Sequence, residues 1–316
     1  MHPTFRLASR LGFATTLLTF ALIVIGSVVR TTGSGLACPD WPLCQGRLIP
    51  PWQFNVMIEW THRLVALLVS LCLVALAVLT FALPALRKRL AGLVILALSL
   101  LAIQVLLGAL TVWKLLDPSV VSGHLGVALL VFATLLAYSR TAARAADAGS
   151  GTGAARAPGL MPAFALATVF TYLQSLLGGM VSTHHAGLAC PDWPTCFGAW
   201  FPSLQGLVGL QMAHRYGAYL LTAIVLGVAA FARVSPDARV RRAGSLALGL
   251  VVGQVVLGVS NVHLRTPVWL SAANLATATA LFGVLLDATL RIAAVPRAAA
   301  ATSPLGAWRA GEAASS

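Results

Sequence analysis

The sequence predicts an all-α polytopic membrane protein with eight transmembrane helices, arranged as two tandemly duplicated four-helix bundles. Apolar residues make up 59% of the 316-residue chain and charged residues only 9%. Several apolar runs approach or exceed the roughly 20 residues that cross a bilayer. The decapeptide Gly35–Cys44 (GLACPDWPLC) also returns as Gly187–Cys196 (GLACPDWPTC), and each copy is followed by a His-Arg pair, His62-Arg63 and His214-Arg215. A self-match at a shift near half the chain length marks a tandem repeat.

In chain order the apolar runs are Leu11–Val29, His62–Leu83, Leu90–Trp113, Ser119–Tyr138, Met161–Val181, Met212–Phe231, Ala243–His263 and Val268–Leu290. The first lacks a small-residue cleavage site and reads as a retained helix, not a signal peptide. Prolines and glycines punctuate the gaps, as interhelical loops require. The expected organisation is an amino-terminal bundle over 1–140, a flexible Ala/Gly/Arg-rich linker over 141–160, a carboxy-terminal bundle over 161–292 and a disordered tail over 293–316.

The net charge of +13 is topogenic and does not point to nucleic acid. Fifteen of the 21 basic residues, among them Arg6, Arg87, Lys88, Arg140, Arg233 and Arg291, fall at one set of helix ends. The other ends hold Arg30, Arg47, Lys114 and Arg265, with Arg63 and Arg215 at helix starts. By the positive-inside rule both termini are cytoplasmic and both cysteine loops lie outside. With an even number of spans per half, the second copy re-enters the membrane in the orientation of the first.

Thiols on that side meet an oxidising compartment, so Cys38 with Cys44, and Cys190 with Cys196, can each close a small disulfide ring. The pairs either staple their loops or, for the first, exchange electrons beside a carboxylate. Zinc is disfavoured by the five-residue spacing and the absence of a second close pair in each loop. Cys72, alone in an apolar run, reads as packing.

His62 and His124 lie on helices two apart, which run parallel in an up-down bundle, so their imidazoles are expected at similar depth. Two imidazoles facing across a bundle are the arrangement that grips a haem iron from both sides. Ionisable groups inside a membrane are costly and point to function. Glu59, three residues before His62, shares its helical face. It could take protons or stabilise positive charge; the plainer readings pair it with Arg63 or leave it solvated at the interface. Arg63 could instead meet a haem propionate or a lipid phosphate.

The second half lacks part of this set. Glu59 corresponds to Gln211, and His62 is kept as His214. The place of His124 falls on Ala273 when the halves are aligned on proline and on Asn274 when aligned on the following leucine. Chemistry is therefore assigned to the first half.

The repeated GLACPDWPxC loop, the Glu59-Trp-Thr-His62-Arg63 helix start, the second His-Arg pair and the eight-span duplicated layout resemble the haem A synthase family over roughly residues 10–290. The resemblance implies an enzyme that oxidises a methyl substituent of haem O to a formyl group for terminal oxidases. His62 and His124 would then ligate the substrate haem, Glu59 would assist oxidation, and Cys38–Cys44 would be the outer-loop disulfide. Electron removal through the macrocycle would make the methyl carbon electrophilic, and repeated addition of water would end in the aldehyde. The expected setting is the bacterial inner membrane, with haem O synthase and terminal oxidase assembly factors as partners and the chain alone or as a homo-oligomer.

The family also holds a haem b between two histidines of its second half, of which only His214 stands here. Three outcomes stand open for that site: a five-coordinate haem on His214 alone, a substitute ligand from His263 or from His184 or His185, or an empty site in a half that serves as scaffold. The expected one is a haem b with altered ligation, with His263 the better substitute. His2 reads as tail. Three rival readings are a membrane di-haem cytochrome b-type electron carrier, an outer-face thiol oxidoreductase and a transporter. The missing fourth histidine counts against the first. Buried histidines count against the second, and the clustering of polar groups at the outer ends counts against the third.

Overall fold

The computed structural model describes residues 3–147 and 159–294. These residues form eight long α-helices: α1 (Pro3–Thr31), α2 (Phe54–Ala82), α3 (Pro84–Trp113), α4 (Pro118–Ala146), α5 (Leu160–Thr183), α6 (Gly206–Ala232), α7 (Ala238–His263) and α8 (Val268–Ala293). All eight are long and apolar enough to cross a membrane. Hydrocarbon offers no hydrogen bonds to a backbone, so a helix is how such a segment satisfies its own polar groups. Buried hydroxyls do likewise: Thr15, Thr16 and Thr19 donate to carbonyls one turn back. Where a helix starts abruptly the cap is visible. The Asp117 carboxylate accepts from the amides of Ser119 and Val120, with Pro118 as the first helical residue.

The helices run past the apolar runs at several ends. α2 begins eight residues before His62, which places that ring about 12 Å inside the helix rather than at its start. α4 continues to Ala146, so 141–146 belong to the bundle and not to the linker. The segment Thr141–Ala146 is alanine-rich, which favours helix, and Arg144 reaches across to the Leu290 carbonyl on α8. Of the expected linker, 148–158 lie outside the described residues, as do His2 and 295–316 of the tail; residues 293 and 294 end α8.

Helices α1–α4 pack as a square, each touching its sequence neighbours and α1 closing on α4; α5–α8 repeat the pattern. Helices α2 and α4 are therefore diagonal partners, as are α6 and α8. The large apolar side chains fill each bundle away from the cysteine loops, at the end rich in arginine. There Phe5, Leu73, Leu76, Leu86, Leu90 and Leu135 form one core, and Phe164, Val225, Val251, Leu281 and Leu285 form the other.

The halves meet through α1 and α4 against α5 and α8. Ile23, Leu129, Phe132 and Phe282 fill the middle of that seam. Polar ties close its ends: Arg30 Nε donates to Ser182 Oγ at 2.7 Å on the cysteine-loop side, and Arg140 pairs with Asp287 on the basic side.

At Gly244 an added Cβ would lie 2.7 Å from the Ala232 Cβ, whereas one at Gly249 meets open space. Gly244→Val should therefore cost about 1–3 kcal/mol by overpacking. It should lower the thermal midpoint of the detergent-solubilised protein, and Gly249→Val should leave that midpoint unchanged.

Candidate functional site

Each cysteine loop is a ring closed by a disulfide, Cys38–Cys44 and Cys190–Cys196. The two rings are held by the same contacts. The Asp40 carboxylate accepts from the amides of Gln45 and Gly46, and Asp192 accepts from Phe197, Gly198 and the Thr195 hydroxyl. The Gly46 amide, followed by that of Gln45, holds the Asp40 carboxyl below its ordinary range, and the charge of Arg63 adds to this. For Asp192 the Thr195 hydroxyl leads, followed by the Gly198 and Phe197 amides, and the carboxyl is again held low.

Below each ring an arginine turns its guanidinium onto three loop carbonyls. Arg63 donates to Cys38, Asp40 and Leu43 at 2.6–2.8 Å, and Arg215 donates to Cys190, Asp192 and Thr195 over the same distances. Loop carbonyls thus take three of the four terminal N–H groups of Arg63, leaving one on Nη2 for the propionate or lipid-phosphate contact considered from sequence. Its Nε donates to Glu59 Oε1 at 2.9 Å, the pairing considered from sequence. Glu59 is buried, and so is Gln211 in the second half. Gln211 instead donates to the Gly187 carbonyl.

Inside the amino-terminal bundle His62 and His124 stand on the diagonal helices α2 and α4. Glycine lies beside each ring. An added Cβ at Gly26 on α1 would sit 3.3 Å from His62 Nε2, and one at Gly108 on α3 would sit 3.3 Å from His124 Cε1. His124 Nε2 lies 3.3 Å from the Gln104 amide nitrogen, while His124 Nδ1 and Gln104 Oε1 are buried without a partner. A buried unpartnered ring nitrogen is costly unless something absent completes it. An imidazole on each diagonal helix, one of them with a buried unpartnered Nδ1, beside glycines on the two intervening helices, fits an iron porphyrin.

The carboxy-terminal bundle differs. Gln254 donates to Asn274 Oδ1 at 2.8 Å, in register with Gln104 and His124. The structure thus settles the two sequence alignments: Asn274, not Ala273, occupies the fourth histidine's place. His214 Nδ1 meets the Gln174 amide nitrogen at 3.0 Å. His263 is exposed at the end of α7, where its counterpart Trp113 is likewise exposed and meets Trp41 edge-on. The structure does not bring His263 to His214, because that helix position looks out of the bundle. His184 donates to the Met180 carbonyl and His185 caps the following turn with φ 56°. These residues do not fit a haem clasped by two histidines. Cys72 is the free cysteine of the described residues and takes part in neither site.

Sequence reasoning missed Gln104, Gln174, Gly26 and Gly108. Their signal was present as register: Gln104 recurs as Gln254, Gly26 as Gly178 and Gly108 as Gly258, whereas Gln174 replaces Leu22.

With this geometry described, comparison with known proteins becomes informative. Residues 9–56 and 51–286 match the family COX15-CtaA, described as cytochrome oxidase assembly protein. The chain belongs to that family. It is 32% identical to the Heme A synthase of Symbiobacterium thermophilum, over 78% of this chain and 83% of the relative. It is 27% identical to that of Bacillus licheniformis, over 90% and 95%. A third relative of the same name, from Shewanella oneidensis, is 29% identical over 82% and 89%.

Two predictions follow from the loops. Arg63→Ala leaves Glu59 a buried, unpaired carboxylate, which costs about 3–5 kcal/mol. Its thermal midpoint should fall sharply, and Arg63→Ala with Glu59→Gln should recover part of the loss. The second prediction concerns acid. Because both loop carboxyls are held low, the unfolded loop binds more protons between the depressed and ordinary values, and stability rises with pH across that window. Hydrogen-exchange protection of the Gly46 and Gly198 amides should persist at about pH 5 and disappear well below about pH 4. In Asp40→Asn and Asp192→Asn the amides of the substituted loop should exchange rapidly throughout.

Proposed function

We propose that this chain is a haem A synthase, which oxidises a methyl substituent of haem O to a formyl group in the amino-terminal bundle. The observation that carries the reading is an asymmetry. That half alone places histidines on both diagonal helices, with the buried carboxylate of Glu59 one turn from His62. The chain's similarity to proteins named Heme A synthase supports the same assignment.

Haem O is the substrate, with its iron taken by His62 and His124 and its ring lying past Gly26 and Gly108. Oxidising a methyl group to an aldehyde removes electrons and protons and takes up an oxygen atom. Glu59 is the group of this chain that accepts protons near the ring. Arg63 engages Oε1, leaving Oε2 to take the proton. The disulfide loop is the lid that Arg63 pins over this end of the bundle. We place the site on the outer side of a bacterial inner membrane, with both termini cytoplasmic. Haem O synthase would supply the substrate, and terminal oxidase assembly would receive the product.

Co-expression with a source of haem O should yield haem A in acid–acetone extracts. Glu59→Gln should reduce conversion by about 10²–10⁴-fold while keeping the fold, since the second half is built with glutamine at that place. His62→Ala and His124→Ala should abolish conversion. Unchanged haem A in all three variants would refute the assignment.

A further inference from the structure

We infer that the carboxy-terminal bundle holds no haem, because a network of Gln174, His214, Gln254 and Asn274 has replaced the ligand pair. The inference takes the haem A synthase reading of the amino-terminal half as its point of comparison.

The first observation is chemical. Haem iron is held by imidazole, thiolate, thioether or phenolate, and Asn274 offers only a carboxamide whose oxygen already accepts from Gln254. Among the described residues of this half, the buried carboxamide oxygens without a hydrogen-bond partner are those of Gln211 and Gln254. Neutral oxygens of that kind suit hard cations rather than haem iron.

The second observation concerns His214 itself. The Gln174 amide nitrogen lies 2.8 Å from the carbonyl oxygen of His214 and 3.0 Å from its Nδ1. A carbonyl can only accept, so the nitrogen of that amide must face it, and the same NH₂ group donates to Nδ1. The neutral ring then carries its proton on Nε2. Ligation through Nε2 needs the opposite tautomer, with Nε2 bare and Nδ1–H donating to an acceptor, and ligation through Nδ1 is blocked by the Gln174 amide.

The third observation is steric. Gln174 is buried over Gly217, where an added Cβ would come within 2.1 Å of Gln174 Oε1. The corresponding residues of the first half are Leu22 and Val65, so this lock belongs to the second half only. The ring orientation differs accordingly. His214 turns Cε1 toward the space beside Gly178, at 3.0 Å, whereas His62 turns Nε2 toward the space beside Gly26.

The test is haem content per chain in protein purified from haem-replete cells, measured by pyridine haemochrome against quantitative amino-acid analysis. The wild type should carry at most one haem, His214→Ala should carry the same amount, and His124→Ala should carry essentially none. Two haems in the wild type, or loss from His214→Ala with retention in His124→Ala, would overturn the inference. Electron paramagnetic resonance of the oxidised wild type needs no variant to fold. One low-spin species with two axial histidines is expected, and a second haem species would overturn the inference. A colourless wild type would refute the reading of the amino-terminal site and leave the carboxy-terminal bundle haem-free, so the two failures are distinguishable.

Discussion

A polar side chain inside a bilayer has no water to return to, and most of this structure follows from how each such group finds its partner. The two arginines below the cysteine rings show the constraint most directly. Their guanidinium groups lie at the cysteine-loop ends of the helices and are matched by loop carbonyls that the ring of seven residues turns inward. Without the ring those carbonyls would point elsewhere, and without the carbonyls the arginines would carry a heavy desolvation cost. The loop, the disulfide, the aspartate that tightens the turn and the start of the following helix thus form one interdependent unit, present twice.

The same constraint separates the halves. In the amino-terminal bundle the bookkeeping of polar groups does not close: His124 Nδ1 and Gln104 Oε1 are buried without partners, and glycines keep space beside both histidines. In the carboxy-terminal bundle Gln174 reaches His214, and Gln254 reaches Asn274. The two halves therefore differ at the ligand positions: His214 and Asn274 each have a glutamine partner, whereas His124 Nδ1 has none. The Glu59–Gln211 exchange fits this division, since a charge is retained only where Arg63 Nε and the proposed chemistry both use it.

Packing reinforces the division of labour along the membrane normal. Large aliphatic and aromatic residues fill the basic end of each bundle, and the seam between halves is closed by aromatic contacts and by the Arg140–Asp287 pair. The buried polar groups and the glycines beside the histidines lie instead toward the cysteine-loop end.

Much of this was legible in the sequence, because hydropathy and repetition are properties of residue order. Eight spans, the paired loops, the Glu59–Gln211 difference and the loss of one histidine from the second half follow from composition and register alone. Tertiary structure decided where each polar group spends its hydrogen bonds. It gave Arg63 to the loop, set Asn274 against Gln254, turned His263 outward and seated Gln174 on Gly217 beside His214. Those outcomes depend on which faces of separate helices meet, and a helix records its own period in sequence but not the identity of the neighbour it will touch.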